Sequence, residues 1–356
     1  MTQYLETTLE PMLHDAKWAF STRRVNRTDA VHLDTCFEKA RSGDLLLSRV
    51  SQIGSHRRVQ LTNGRPSELY PDDLVIAACG ARYASDQFEG IARIESDGCD
   101  LLAGGGCVGT MQLAHAKMKR PTRLIPLGLL ADADHRVLNL DRYALPYPEH
   151  PRRLPAVGVI GASMNAGKTT AVAAMVHGLQ RAGYRVAAIK STGTGAFGDY
   201  NAYVDAGAHF VGDFTDTGMV STYLQPIEQL NQALNTLFDA AARAGCDIAV
   251  VEFADGVLQR ETRSLLSRDN VRSAFAGFIY AVPDALAAVG GCVALRQLGI
   301  TPAALTGLIS RSPLDINEAE EATGLPVLGR ETLADPAPSA ALLHTLVRPD
   351  LGGLAA

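Results

Sequence analysis

Residues 156–179 read Ala156-Val-Gly-Val-Ile-Gly161-Ala-Ser-Met-Asn165-Ala166-Gly167-Lys168-Thr169-Thr170-Ala-Val-Ala-Ala-Met-Val-His-Gly-Leu179. An apolar run, a glycine-bounded loop and a stretch with apolar residues at helical spacing follow one another. That order of strand, loop and helix is the setting a phosphate-binding loop requires. Backbone N–H groups of such a loop and the positive end of the following helix converge on one point, where a lysine adds charge and a hydroxyl can hold magnesium. Five residues separate Gly161 from Gly167, one more than in the commonest form of the motif. The expected cradle is Gly161, Asn165, Ala166, Gly167, Lys168, Thr169 and Thr170, with Thr169 also a metal ligand.

Downstream, the pattern supplies partners for this loop. The run 185–191 reads as a buried strand ending at Lys190, followed by the glycine-rich stretch Thr192-Gly-Thr-Gly-Ala-Phe-Gly-Asp199. Ligands of open α/β sheets bind at the carboxyl ends of the strands, so Lys190 is placed to meet phosphate or a substrate carboxylate, with substrate over residues 192–199. A short helix is expected over 201–208. Asp213 and Asp216 follow in a hydroxyl-rich stretch; beside a nucleotide they would be a magnesium ligand or a general base, and elsewhere caps and turn residues. After an amphipathic helix over 226–244, the strand 247–252 delivers Glu252 at its carboxyl end, where a carboxylate can hold Mg²⁺; Asp255 is a second candidate. Strand and helix patterns alternate through 277–348, which predicts a mainly parallel sheet covered by helices.

Upstream, Ala144-Leu-Pro-Tyr-Pro-Glu-His-Pro-Arg-Arg-Leu-Pro155 contains four prolines and excludes helix. It reads as a linker over 144–155 between a β-rich domain at 1–143 and a phosphate-loop domain at 156–348. The first domain shows strand-like runs at 45–50, 58–61, 74–79, 122–130 and 137–140, with the hairpin signal Asn63-Gly64. These suggest a small antiparallel sheet or barrel. A second glycine run, Gly104-Gly-Gly106-Cys-Val-Gly109, matches the G-x-G-x-x-G fingerprint ahead of a helical pattern at 111–118. No second strand–helix repeat accompanies it, so a closely packed glycine turn is the preferred reading over a dinucleotide site.

Composition narrows the classes. With 356 residues, 47% hydrophobic and 20% charged, the chain has the length of two globular domains. A net charge of -5 argues against broad binding to nucleic acid or anionic membrane. Six scattered cysteines without a Cys-x-x-Cys pair argue against a zinc site and for reduced thiols. The opening Met-Thr-Gln-Tyr-Leu-Glu lacks signal-peptide character, which leads to an expected cytoplasmic location.

With these residues in view, the second part of the chain, 156–348, resembles the P-loop NTPases of the dethiobiotin synthetase type. That family also carries a G-x(5)-G-K-T loop, a lysine closing the second strand, an aspartate in the following loop and a V-E-G-A-G-G stretch. The matching residues here are Gly161 to Thr169, Lys190, one of Asp199, Asp213 or Asp216, and Val251-Glu252-Phe-Ala-Asp255-Gly256. Over 156–310 the chain is also similar to the D-glutamate N-acetyltransferase-like family, through Thr192-Gly-Thr-Gly, Val204-Asp205-Ala, Asp213-Phe214, Val250-Val-Glu252 and Pro283-Asp-Ala-Leu286. It departs from that family where Glu252-Phe-Ala-Asp-Gly replaces E-G-Q-G-S. Residues 309–313, Ile-Ser-Arg-Ser-Pro, stand where dethiobiotin synthetase has an adenine-reading asparagine, and no N-K-x-D guanine motif is present.

The resemblance implies an ATP- and Mg²⁺-dependent kinase or ligase that activates a small anionic metabolite. Lys168, Lys190, Asp213 and Asp216 are then the catalytic candidates, and Thr169, Asp213 and Glu252 the metal candidates. The alternatives are an N-acyltransferase whose loop cradles the phosphates of coenzyme A, and a nucleotide-operated switch or chaperone. The expected partners are a metabolite and further copies of the chain, as a dimer, without nucleic acid or membrane.

Overall fold

The computed structural model describes residues 9–347. The far edge of the second domain at 348 and the glycine-rich end at 352–356 lie outside them. The chain divides into two compact units: one built from the chain up to Pro146 together with Gly193–Phe197 and Phe214–Leu224, the other from Tyr147–Thr192, Gly198–Asp213 and the chain from Gln225 onward. Two pieces of the downstream half therefore belong to the upstream unit, which a boundary drawn at the prolines does not foresee.

The first unit is built on a barrel. Its strands are β1 (Leu45–Gln52), β2 (Leu74–Cys79), β3 (Cys99–Ala103), β4 (Cys107–Ala114) and β5 (Thr122–Ala131). Antiparallel pairs β1–β2, β1–β5, β3–β5 and β3–β4 run around the ring, and a parallel pair between β2 and β4, Ala78 with Cys107 and Cys79 with Val108, closes it. Three short strands, Lys17–Trp18, His32–Asp34 and Phe88–Ile91, add to its edges.

Alternate residues feed two buried clusters. Leu46, Val50, Ala77, Cys79, Leu101 and Val108 enter one; Leu45, Leu47, Ile76, Ala78, Leu102 and Cys107 enter the other, against Trp18 and Leu140. Burial on both faces is the reason that β1 and β2 read as continuous apolar runs rather than alternating ones. The Asn63-Gly64 signal lies between the antiparallel strands Arg58–Gln60 and Pro66–Glu68, with Gly64 at φ +80.

Two expectations fail in this unit. The first half of the pattern at 111–118 is the end of β4, paired with Phe88–Ile91, and the rest is turn, instead of a helix. Its apolar residues are too few to fix a period, and strand pairing decided it. Residues 137–140 form only isolated bridges to Asp44 and Ala131 before a 3₁₀ turn at Leu140–Tyr143.

The second unit is a six-stranded, wholly parallel sheet. Its strands and the helices between them include β6 (Ala156–Gly161), α1 (Lys168–Arg181), β7 (Val186–Lys190), α2 (Phe197–Asp205), β8 (Phe210–Asp213), α3 (Ile227–Arg243), β9 (Ile248–Glu252), β10 (Gly277–Ala281), α4 (Ala285–Arg296) and β11 (Ala304–Thr306), with further helices at Pro313–Thr323 and Pro336–Val347. The strand order is β8-β7-β9-β6-β10-β11. From β6 the chain goes to β7 on one side, and from β9 it goes to β10 on the other, so the order reverses beside β6. That reversal is a topological switch point, where open α/β sheets bind ligands.

One face of this sheet buries Val157, Val159, Val186, Ala188, Ile248 and Val250 against Val172, Met175, Val176 and Leu179 of α1. On the other, Phe238, Phe253, Phe275 and Phe278 pack ring to ring, with centroids 5.0 to 6.4 Å apart. Gly158 is needed there, because a Cβ would stand 2.4 Å from the Phe278 ring. This unit is an α/β P-loop domain preceded by a β-rich one. Among the described residues no helix is long and apolar enough to cross a membrane.

Candidate phosphate and metal site

Residues 162–167 form the loop between β6 and α1, and two of them have left-handed backbone: Asn165 at φ +64 and Gly167 at φ +100. Gly167 is the N-cap of α1, and no side chain caps that helix. Its first-turn N–H groups are left for an anion, which is how helix N-termini hold phosphate. The loop is braced by neighbours in the same unit. Leu308 N donates to Ala166 O at 3.1 Å, and Val257 N donates to Gly161 O at 2.9 Å. A Cβ on Gly307 would stand 2.2 Å from Ala166 O, and one on Gly256 2.4 Å from Ala162 O, so both contacts require glycine.

The Lys168 side chain folds back over Gly161 and donates to Ser163 O at 2.8 Å and Asp255 O at 2.6 Å. Burial pulls its ammonium down from the ordinary lysine value, against the Glu252 and Asp255 carboxylates. Asp255 also meets the ammonium through its carbonyl, presented by a backbone at φ +60. Two neutral carbonyls are weaker partners for an ammonium than an anion is; a phosphate would displace them.

Sheet register assembles the charges. Lys190, at the end of β7, pairs with Asp213 of β8 on one side and Glu252 of β9 on the other. Partners in register share a face of the sheet, and this is the face on which α1 packs. Glu252 is fixed from behind, since Ser191 donates to its carbonyl from both N, at 2.9 Å, and Oγ, at 2.8 Å. The glycine-rich stretch after Thr192 turns helical at Phe197, four residues before the sequence suggested. Asp199 therefore lies in the first turn of α2 and reaches the site.

At the centre stands the Thr169 hydroxyl, 2.9 Å from Asp199 Oδ1 and 3.0 Å from Glu252 Oε2. Its single proton serves one carboxylate at a time. The Tyr203 phenol also donates to Glu252 Oε2, and Lys190 pairs with the other oxygen of Asp199. Burial and the nearby Asp199 charge push the Glu252 carboxyl up from its ordinary value. Asp199 goes the other way, because the Lys190 charge and its hydrogen bond outweigh burial. Burial alone would lower Lys190, but Asp199 and Glu252 outweigh it and hold it above the usual lysine value.

These oxygens fit magnesium. A hydroxyl and two carboxylates are hard donors of the kind Mg²⁺ takes, and the Thr169 hydroxyl stands within 3.0 Å of one oxygen of each carboxylate; Thr169, Asp199 and Glu252 would hold the ion.

The structure thus brings Lys168, Thr169, Lys190 and Glu252 together and adds Asp199 and Tyr203. Asp213 is buried beside Lys190 in register. Asp216 is a different case: it lies in the first unit, where Arg23 Nη2 donates to its Oδ2 at 2.7 Å and Arg24 Nη1 stands 3.9 Å from Oδ1. Its carboxylate is paired with these arginines. Tyr203 was missed altogether; its spacing of four from Asp199, one helical turn, is the signal that could have found it.

The fingerprint at 104–109 is no dinucleotide site. Gly104 to Gly106 form the turn of the β3–β4 hairpin, followed by a strand and not by a helix N-terminus. A Cβ on Gly105 would fall 1.9 Å from Gly195 O, and one on Gly106, at φ +100, 2.2 Å from Ala19 Cβ.

No family model matches the sequence, and no curated protein matches it. Among solved structures, similarity is found to the signal recognition particle 54 kDa protein of Aeropyrum pernix K1 in complex with GDP. That match has a TM-score of 0.36 and 19% identity over 56% of this chain. Chloroplast FtsY of Physcomitrella patens gives a TM-score of 0.36 and 15% identity over 57% of this chain and 68% of its own. The chain spans about half (49%) of the first of these. Overlaps this low carry no function across; the P-loop assignment rests on the loop, the capless helix and the parallel sheet.

Proposed function

We propose that the chain is a Mg²⁺- and nucleoside-triphosphate-dependent enzyme, a kinase or ligase that activates a small anionic metabolite by phosphoryl transfer. The observation that carries this reading is the three-oxygen set of Thr169, Asp199 and Glu252 beside a lysine and a helix N-terminus. Mg²⁺, when bound, would neutralise charge on the phosphate oxygens. Lys168 and the loop amides would bind and stabilise the transferring phosphoryl group. Lys190 would hold Asp199 charged and orient it. ATP is the proposed donor, through the resemblance of the Gly161 to Thr169 spacing to the dethiobiotin synthetase type.

One observation favours a second reading, a nucleotide-operated switch. The segments that follow Thr192 and Asp213 are part of the first unit's body, so the chain runs directly from strand ends of the phosphate-loop unit into the other unit.

A thermal-shift screen of the full chain with ATP, GTP and acetyl-CoA, each with and without Mg²⁺, separates these readings from acyl transfer. Stabilisation by a triphosphate that needs Mg²⁺ supports the proposal. Stabilisation by acetyl-CoA alone refutes it. Nucleotide turnover that no small carboxylate stimulates favours the switch.

A further inference from the structure

We propose that Tyr203 is a positioning residue for the metal: its phenol selects which oxygen of Glu252 faces the magnesium position and holds it there. The proposal rests on the Mg²⁺–nucleotide reading above and assigns a residue to that site which the loop motif does not include.

Tyr203 is 1% exposed, and its ring belongs to the core cluster that packs α1 on the sheet. A phenol in that position needs a hydrogen-bond partner. It donates to Glu252 Oε2, the same oxygen that faces Thr169. The last torsion of a glutamate side chain is broad and roughly two-fold, so a strand-end carboxylate held only by its backbone could present either oxygen or both. Two hydroxyls converging on Oε2 remove that freedom.

Asp199 and Tyr203 lie one turn apart on the nine-residue α2. One short helix therefore sets Asp199 directly and Glu252 through the phenol, and Thr169 comes from α1. The consequence is a set of three oxygen donors held in place by hydrogen bonds, the preorganisation a small cation with strict geometry needs. Calcium, which takes more ligands in looser geometry, gains nothing from such rigidity. Removing an outer-shell partner of this kind commonly costs 10–100-fold in metal affinity.

The test compares the full-length wild type with Tyr203→Phe, which keeps the ring in its packing. Calorimetric titration of Mg²⁺ into each chain with saturating ATP, and of ATP without metal, is the measurement. The expected result is a ~10–100-fold weaker Mg²⁺ affinity in Tyr203→Phe, with metal-free ATP affinity unchanged, a smaller preference for Mg²⁺ over Ca²⁺, and turnover largely restored by excess Mg²⁺. Tyr203→His, which keeps a ring and a donor, should recover part of the loss.

Unchanged Mg²⁺ affinity in Tyr203→Phe overturns the proposal. So does a variant that melts far below the wild type or loses ATP and Mg²⁺ affinity in equal proportion, because the phenol would then serve the fold. A wild type with no Mg²⁺-dependent ATP binding overturns the nucleotide reading as well.

Discussion

The chain has two glycine runs with motif-like spacing, and they do opposite things. Gly161 to Gly167 is followed by a fourteen-residue helix whose first turn has no side-chain cap; Gly104 to Gly106 is followed by β4, whose N–H groups go into the sheet. In the first run glycine opens a cradle and lets Lys168 lie over Gly161. In the second it lets Ala19 and Gly195 come close. Glycine spacing reports only that backbone approaches something; the element that follows decides whether that something is a ligand or the protein itself.

The largest expected effect lies in the first run. Lys168→Ala should lower nucleotide-dependent turnover by at least ~100-fold, as loss of a charge-stabilising donor does, with the melting temperature of the ligand-free chain little changed. Full activity in this variant would remove the distinction between the two runs.

Gly106→Ala should do the reverse. A side chain at φ +100, 2.2 Å from Ala19 Cβ, should cost about 3 kcal/mol of stability through strain and overpacking. Mg²⁺-dependent ATP affinity in the surviving folded protein should stay within error. A loss of ATP affinity with stability preserved would assign the second run to ligand after all.

A smaller effect tests how tightly that hairpin region is sealed. His56 lies beside the Gly104 turn and the Phe88 ring, and burial, aided by the Arg82 charge, lowers its pKa to about 4. A histidine held neutral in the fold contributes stability that is present above its unfolded value, near 6.5, and is lost as pH falls toward 4. Between pH 7 and pH 5 this amounts to about 2 kcal/mol. Urea unfolding at the two pH values, wild type against His56→Gln, should show a loss of that order in the wild type and a flatter response in the variant. Equal pH responses would place His56 in contact with water.

What could be read in advance follows the same division between local and distant causes. The strand–loop–helix around Lys168 is set by residues within about twenty positions of one another, and the sequence showed it. Glu252 at the end of an apolar strand was legible for the same reason. The choice among Asp199, Asp213 and Asp216 was not. It depends on where α2 begins and on Arg23, nearly two hundred residues from Asp216, whose guanidinium takes that carboxylate. The barrel was suggested by its strands, but its closure rests on the parallel pairing of Ala78 and Cys79 with Cys107 and Val108, which no local pattern encodes. At 111–118 the few apolar residues left the period open, and pairing of Met111 to Ala114 with Phe88–Ile91 made the first half strand.

In the proposed function, Thr169, Asp199 and Glu252 hold a divalent cation against a nucleotide phosphate. Its most direct test is electron paramagnetic resonance of Mn²⁺ titrated into the full chain with ATP, for the wild type and Glu252→Gln. One Mn²⁺ per chain is expected in the wild type, dependent on ATP, coupled to phosphorus, and strongly weakened in the variant. Mn²⁺ bound equally by both proteins, or bound without any coupling to the nucleotide, would contradict it.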